Sequence, residues 1–480
     1  MRFSTAPFLA FAILLSFTSL TQAQSSAPDG ITAQDTKPVV NPSPSFWSQD
    51  YLTGDWGGAR SQLSSKGVSF GFNAIQEVLG NPSGGIHQGI IEEGRLEMAL
   101  DIDFKALAGL DGSSFHVNSY YIYGSGLSGK DVGNLLTVSN IEAYNSLRLF
   151  DLWYQQQFLD GKVSLRIGQI ASDDEFAISS YAANFVNSTF GWPALMGVNL
   201  PSGGPAYPLA APGVRLIVNP IQQVSLMAAV FSGDPGEGFS IESAQKEDNS
   251  GTRIQFDDGI FAIYEAAYKW NQEDGSKGLP GTYKLGGWYG NQSYPDVNQG
   301  TTSGGSPKSY PGNWGIYFIA DQMVWRKPPA VTDPKDAKST PAATCANDQG
   351  LGLFWRVGGS PADRNTISFY TDGGLNYKGL IPGRDQDILG LGVAYAKISD
   401  DLSTFEQESN STNGIDAPVQ DYEIAIEATY IAQLAPWWTV QPDIQYIVHP
   451  GGNVADPTNA SGTQAIPNAV VLGVRTTINF

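Results

Sequence analysis

From Gly67 onward, apolar and polar residues alternate with a period of two, in runs of roughly ten separated by Gly, Pro, Asn, Asp and Ser. The run Arg95 to Phe104 is the clearest. Leu96, Met98, Leu100, Ile102 and Phe104 share one face, while Arg95, Glu97, Asp101 and Asp103 share the other. The last run repeats the pattern. Val470, Leu472, Val474, Thr476, Ile478 and Phe480 face one way, and Val471, Gly473, Arg475, Thr477 and Asn479 face the other. Runs of this length cross a bilayer as tilted strands. A soluble sandwich would bury the apolar face, whereas a membrane barrel turns it to lipid and lines water with the polar one.

Number and length of strands favour the barrel. The alternation predicts strands over 67–79, 94–104, 114–123, 147–158, 162–170, 212–219, 222–232, 260–270, 281–289, 313–325, 350–359, 365–373, 386–397, 420–432, 437–448 and 470–480. That makes sixteen, an even number that returns the chain to its starting side. A barrel of this size encloses an aqueous channel, whereas about eight strands would be filled by side chains. The links 159–161, 220–221 and 433–436 are short and suit periplasmic turns. The links 124–146, 171–211, 233–259, 398–419 and 449–469 are long and suit external loops. Link 326–349 is long on the turn side, and 360–364 is short on the loop side. The pattern there implies either a periplasmic insertion or a strand split in the wrong place.

The beginning of the chain supports export. Arg2, an apolar stretch from Phe8 to Leu20, and small residues before Gln24 read as a signal peptide over 1–23. Residues 24–66 read as a flexible leader followed by a short periplasmic helix, with Asp55 as its cap and Gly67 as its end. That helix is expected to act as a plug or lid. Residues 67–480 form the transmembrane barrel.

Charge narrows the function. With 27 basic and 47 acidic residues the net charge is −20, which excludes a nucleic-acid partner in need of a basic footprint. The acidity suits a solvated surface, or loops and a lumen that favour cations. The 55 glycines suit turns and strand interiors, and an 11% aromatic content suits interfacial girdles, with Trp288, Trp325, Trp437 and Trp438 expected there. Cys345, the single cysteine, has no intramolecular partner. His87, His116 and His449 form no spaced metal pair. Gly124 to Gly129 matches a phosphate-loop string, but Lys130 to Asn134 does not continue as a helix. No enzyme activity, metal or cofactor is expected.

Several longer motifs are more specific. They are Leu52-Thr53-Gly54-Asp55-Trp56-Gly57-Gly58, Ser139-Asn140-Ile141-Glu142-Ala143 and Ser164-Leu165-Arg166-Ile167-Gly168-Gln169-Ile170-Ala171-Ser172-Asp173-Asp174-Glu175-Phe176. Next come Asn187-Ser188-Thr189-Phe190-Gly191-Trp192-Pro193-Ala194-Leu195 and Asn199-Leu200-Pro201-Ser202-Gly203-Gly204-Pro205-Ala206-Tyr207-Pro208. Asp372-Gly373-Gly374-Leu375 and Gly379-Leu380-Ile381-Pro382-Gly383-Arg384 follow. Together they resemble the carbohydrate-selective porin family, OprB. The resemblance implies a 16-stranded antiparallel transmembrane β-barrel in the outer membrane of a Gram-negative-type bacterium. It also implies passive, carbohydrate-selective diffusion of small sugars such as glucose, and favours a homotrimer. Residues 327–349 look longer than the family needs, and loop 233–259 is acidic without a strong match.

In sixteen-stranded porins the loop corresponding to 171–211 folds inward and narrows the channel. Here it carries Asp173, Asp174 and Glu175 as acceptors for hydroxyls, and Phe176, Phe185, Phe190, Trp192 and Tyr207 as flat faces. Five prolines from Pro193 to Pro212 would stiffen it. Arg95, Arg166 and Arg215 lie on polar strand faces, and Arg148 lies at a strand entrance. A guanidinium offers fixed donors that suit neighbouring hydroxyls. The expected constriction is therefore Arg95, Glu97, Arg148, Arg166, Glu175, Phe176, Trp192 and Arg215. Each arginine could instead brace the wall, and Trp192 could pack the loop. General or cation-biased diffusion is the alternative function.

Overall fold

A computed structural model describes residues 45–236, 241–256, 258–273, 276–300, 305–328 and 348–480. Sixteen antiparallel strands form one closed barrel, each paired with its neighbours in sequence and the first paired with the last. They are β1 (Val68–Ser83), β2 (Ile90–Asp103), β3 (Ser113–Gly124), β4 (Ser146–Phe158), β5 (Val163–Ile170), β6 (Ala211–Ile221), β7 (Val224–Ser232) and β8 (Ile260–Trp270). They continue as β9 (Gly281–Pro295), β10 (Ser309–Arg326), β11 (Gly350–Gly359), β12 (Ile367–Lys378), β13 (Ile388–Ile398), β14 (Tyr422–Ala435), β15 (Trp438–Val448) and β16 (Ala469–Asn479). Closure leaves no sheet edge, so the ladder N–H and C=O groups pair from strand to strand within the protein, as a hydrocarbon surround requires.

The alternation sets which face meets lipid. Leu165, Ile167, Leu216, Leu285, Ile316, Leu391, Val393, Leu472 and Val474 stand exposed on the outer wall. Exposed apolar residues on this scale are costly in water and favourable against acyl chains. Tyr268 and Trp270, Trp325 and Tyr377, and Trp438 collect at the strand ends on the side of the short turns. Trp325 and Trp438 thus stand where a girdle was expected. Trp288 does not. It is 1% exposed and points inward, into a cluster with Phe176, Met196 and Phe261. Gly315 lies opposite it, and a Cβ there would come within 2.5 Å of the indole nitrogen.

β10 and β11 are hydrogen-bonded neighbours, so no strand was split wrongly around the long link. Residues 329–347 of that link, with Cys345, lie outside the described residues, as do the signal peptide and the leader up to residue 44. Helix α1 (Ala59–Ser65) follows a short turn over Trp56–Gly58. Asp55 accepts from the Ser61 N–H and hydroxyl, both at 2.8 Å, one turn further along than a cap residue would reach. Leu52 N–H donates to Asn479 O at 2.8 Å, and Arg60 Nη2 to Phe480 O at 2.7 Å. These bonds place the segment on the rim, at the seam between β1 and β16.

Not all of the inward face is wet. Leu127, Val132, Leu136 and Val138 of the link after β3 are fully buried against Leu79, Val471, Ala425 and Ile447. That link therefore folds inward together with 171–210. The polar-face position Val471 belongs to a dry core, not to a water-lined wall.

Candidate channel constriction

An irregular loop inside a barrel must find partners for its backbone groups. The wall provides them. Glu265 of β8 accepts from Ala177 N–H at 3.0 Å, and Asp321 of β10 from Ser180 N–H at 2.7 Å. Glu427 of β14 accepts from Val186 and Asn187 N–H at 2.6 and 2.9 Å. Arg356 of β11, ion-paired to Asp372, donates to the carbonyls of Ala177, Thr189 and Gly191. Gln441 of β15 donates to Asn184 O. Wall glycines leave room for the loop's side chains. A Cβ at Gly352 would lie 2.1 Å from the Tyr181 ring, and one at Gly392 would lie 2.9 Å from both Phe185 and Phe190.

The second inward segment is tied in the same way. Glu423 of β14 accepts from Leu135 and Leu136 N–H at 2.8 and 2.7 Å. Gln445 of β15 donates to Val138 O, and Asn140 N–H donates to Val186 O, joining the two segments. These anchors lie on β8 to β15, and further ties come from β4, β6 and β16. A cavity of about 1600 Å³ stays open, bordered by Arg95, Tyr120, Asp173, Asp174, Trp192 and Tyr207.

The arginines on this side differ in how much of their hydrogen-bonding capacity is used. The Arg95 guanidinium lies between the rings of Tyr120 and Tyr207, at 4.5 and 5.4 Å from their centroids. Its nearest carboxylate, Glu97, is 3.8 Å away, and among the described residues its Nε has no hydrogen-bond partner. Arg215 is buried and fully engaged: Nε and Nη2 hold both oxygens of Glu175 at 2.6 and 2.9 Å, Nη1 donates to Ser164 Oγ, and Nη2 also reaches Gln155. Arg166 lies 3.5 Å from Glu175 and stacks at 3.7 Å on Trp153. The indole's neighbour is His116, at 5.1 Å, whose Nδ1 is 2.7 Å from Asp101. His116 and Tyr120 are four residues apart on β3, so the two stacked arginines are separated by about 13 Å along the wall. The lower cluster lies nearer the periplasmic turns.

The structure thus brings Arg95, Glu97, Arg166 and Arg215 onto one stretch of wall, β2 to β6, with Glu175 of the loop against it. Trp192 borders the cavity, its indole N–H fixed to Gly203 O at 3.0 Å. Two expected members lie elsewhere. Phe176 is 1% exposed and packs with Met196, Phe231 and Trp288, anchoring the loop instead of presenting a face to solute. Arg148 is buried beneath residues 248–251, its Nη2 bonded to Asp248 O at 2.6 Å. Phe185 and Phe190 are likewise packing groups. Tyr120, Trp153 and His116 were not anticipated. Trp153 was masked because β4 is irregular opposite Val117 and Ser119: Phe150 and Asp151 are both buried, so alternation counted from Arg148 puts Trp153 on the wrong face.

Asp173, on the loop, has its carboxyl pushed up to about 7 by burial and then by the neighbouring Asp174 charge, against the opposing Tyr207 N–H and Arg95. Its Oδ2 takes the Tyr207 N–H at 3.0 Å, while Oδ1 has no partner among the described residues.

The family model for carbohydrate-selective porins, OprB family, matches residues 87–480. The chain belongs to the OprB family. Porin B of Pseudomonas aeruginosa is 26% identical over 458 residues, covering 88% of this chain and 90% of that protein. Putative porin QuiX of Acinetobacter baylyi is 24% identical over 468 residues, covering 91% and 94%. The high-pH structure of Pseudomonas putida OprB matches the fold with a TM-score of 0.75 at 23% identity, over 91% of this chain and all (100%) of that one. This OprB-family chain is an outer-membrane porin, a non-enzymatic channel that passes carbohydrates.

Proposed function

We propose that selection occurs at Arg95, Tyr120 and Tyr207, with Trp192 and Asp174 bordering the same cavity, and that monosaccharides of glucose size are the preferred solutes. One observation carries this: the Arg95 guanidinium borders the cavity with no carboxylate nearer than 3.8 Å, whereas Arg215 and Arg166, away from the cavity, share Glu175. The Tyr rings hold the cation by its faces, which fixes its direction without using its N–H groups. A pyranose offers hydroxyls to the guanidinium edge and C–H surface to the rings. Glu97, Arg166, Glu175 and Arg215 shape and neutralise the wall. Binding there must stay weak for solute to leave.

The test is glucose flux through reconstituted Arg95→Ala. A hydrogen bond to a charged group contributes about 1.5–3 kcal/mol, so the glucose preference over a size-matched amino acid should fall about tenfold. An unchanged preference would remove Arg95 from the selective site.

A cation-biased channel is the second reading, favoured by Asp173 and Asp174 on the cavity and by the net charge of −20. Reversal potentials in asymmetric salt separate the two. The homotrimer rests on the resemblance to large porins, and light scattering in detergent reads one chain or three. Cleavage after Ala23 is read by N-terminal sequencing of the mature protein.

A further inference from the structure

Residues 45–66 carry two exposed aromatic side chains, Phe46 and Trp47, at 49% and 59%. They are not loosely placed. Phe46 lies 5.1 Å and Trp47 6.1 Å from the Trp437 ring, and Trp437 Nε1 donates to Phe46 O at 3.0 Å. Trp437 in turn stacks on Trp438 at 5.8 Å with an 11° tilt. Trp438 stands on the outer wall: it pairs with Ile478, and its Nε1 donates to Thr476 Oγ1, both on the lipid side of β16. The stack therefore runs without a break from the lipid-facing wall onto the rim segment.

The other end of the segment is held by Arg60. Its guanidinium lies 3.7 Å from the Tyr51 centroid and 4.6 Å from the Trp56 centroid, and Nη2 donates to Phe480 O. Leu52 N–H donates to Asn479 O between these two attachments.

We propose that Phe46 and Trp47 dock into the periplasmic leaflet of the membrane, at the boundary of headgroups and acyl chains, so that residues 45–66 form a lipid-seated clasp over the seam between β1 and β16. The occupant is phospholipid because the surface continues the barrel's own lipid face, and because indoles, with an apolar body and one N–H donor, partition to that depth. Arg60 is a positioning residue: it fixes the segment against the last strand and thereby aims the two rings outward.

The experiment reconstitutes the full chain and Trp47→Phe in phosphatidylcholine vesicles brominated near the headgroup, deep in the acyl chains, or not at all. The fluorescence difference between the two proteins reports Trp47. Shallow bromines should quench that difference at least about twofold, more than deep ones, and aqueous iodide should leave it largely untouched. Quenching by iodide and not by bromine would overturn the proposal, placing Trp47 in water or against a periplasmic protein. Arg60→Ala should lose the shallow-bromine quenching while glucose flux in the same vesicles is unchanged. Retained quenching would remove Arg60 as the positioning group. Heat-modifiable gel mobility confirms that each variant is folded.

Discussion

Glu175 holds Arg215 by two hydrogen bonds and Arg166 by a longer contact, while Arg95 keeps an open edge on the cavity. The same residue type thus braces the wall at Arg215 and is the proposed reader at Arg95, and variants should separate the roles. Arg215→Ala leaves Glu175, one-fifth exposed, with Arg166 at 3.5 Å as its remaining cation, and empties the buried space of the guanidinium. Losing hydrogen bonds to a charged group of this kind costs about 1.5–3 kcal/mol, which should appear as a lower temperature for the heat-modifiable shift. Asp173 offers a pH test. With its carboxyl at about 7, it is protonated below that value, and the cavity loses one negative charge. Cation preference over chloride should therefore fall between about pH 8 and 6, and Asp173→Asn should remove that component. Because its pKa is raised above the usual carboxylate value near 4, its contribution to stability is intact at acid pH and is lost as pH rises through about 7. At this scale the sequence was partly legible. Polar-face arginines were visible by parity, but parity cannot say which carboxylate each one meets. It failed outright at Trp153, where a bulge in β4 reverses the faces, and the loop's composition could not show that Phe176 packs against β7 to β10.

Strands and loops were legible to different degrees. All sixteen strands announce themselves because the side-chain period is fixed by backbone geometry. The misjudged ends, such as Ser83, Pro295 and Lys378, lie where alternation fades. The inward fold of 125–145 has no periodic signal. Leu127, Val132, Leu136 and Val138 are irregularly spaced, and their cover comes from strands at the far end of the chain. Wall glycines are equally silent in sequence, yet Gly392 leaves the space that Phe185 and Phe190 fill. Gly392→Val should push both rings inward, at an overpacking cost of about 1–3 kcal/mol. Single-channel recording should show a conductance changed from the parent's; an identical conductance would mean that the loop's seat does not set the aperture.

On the scale of the molecule, the barrel supplies a closed wall, and two inward segments tied to it from β4 round to β16 fill part of its lumen. What remains open is a cavity bordered by the Arg95 guanidinium, which lies between two tyrosines. In the proposed site, this placement lets one short stretch of wall screen the solutes that pass. The net charge of −20 makes the barrel's bulk field favour cations, so preference for a neutral sugar must arise locally. The most direct measurement is flux into vesicles carrying the mature chain, comparing glucose, a trisaccharide and an amino acid of glucose size. Glucose entering faster than the amino acid, with the trisaccharide slowest, is the predicted order. Equal entry of glucose and the amino acid, with rates ranked by size alone, would contradict a selective site at Arg95.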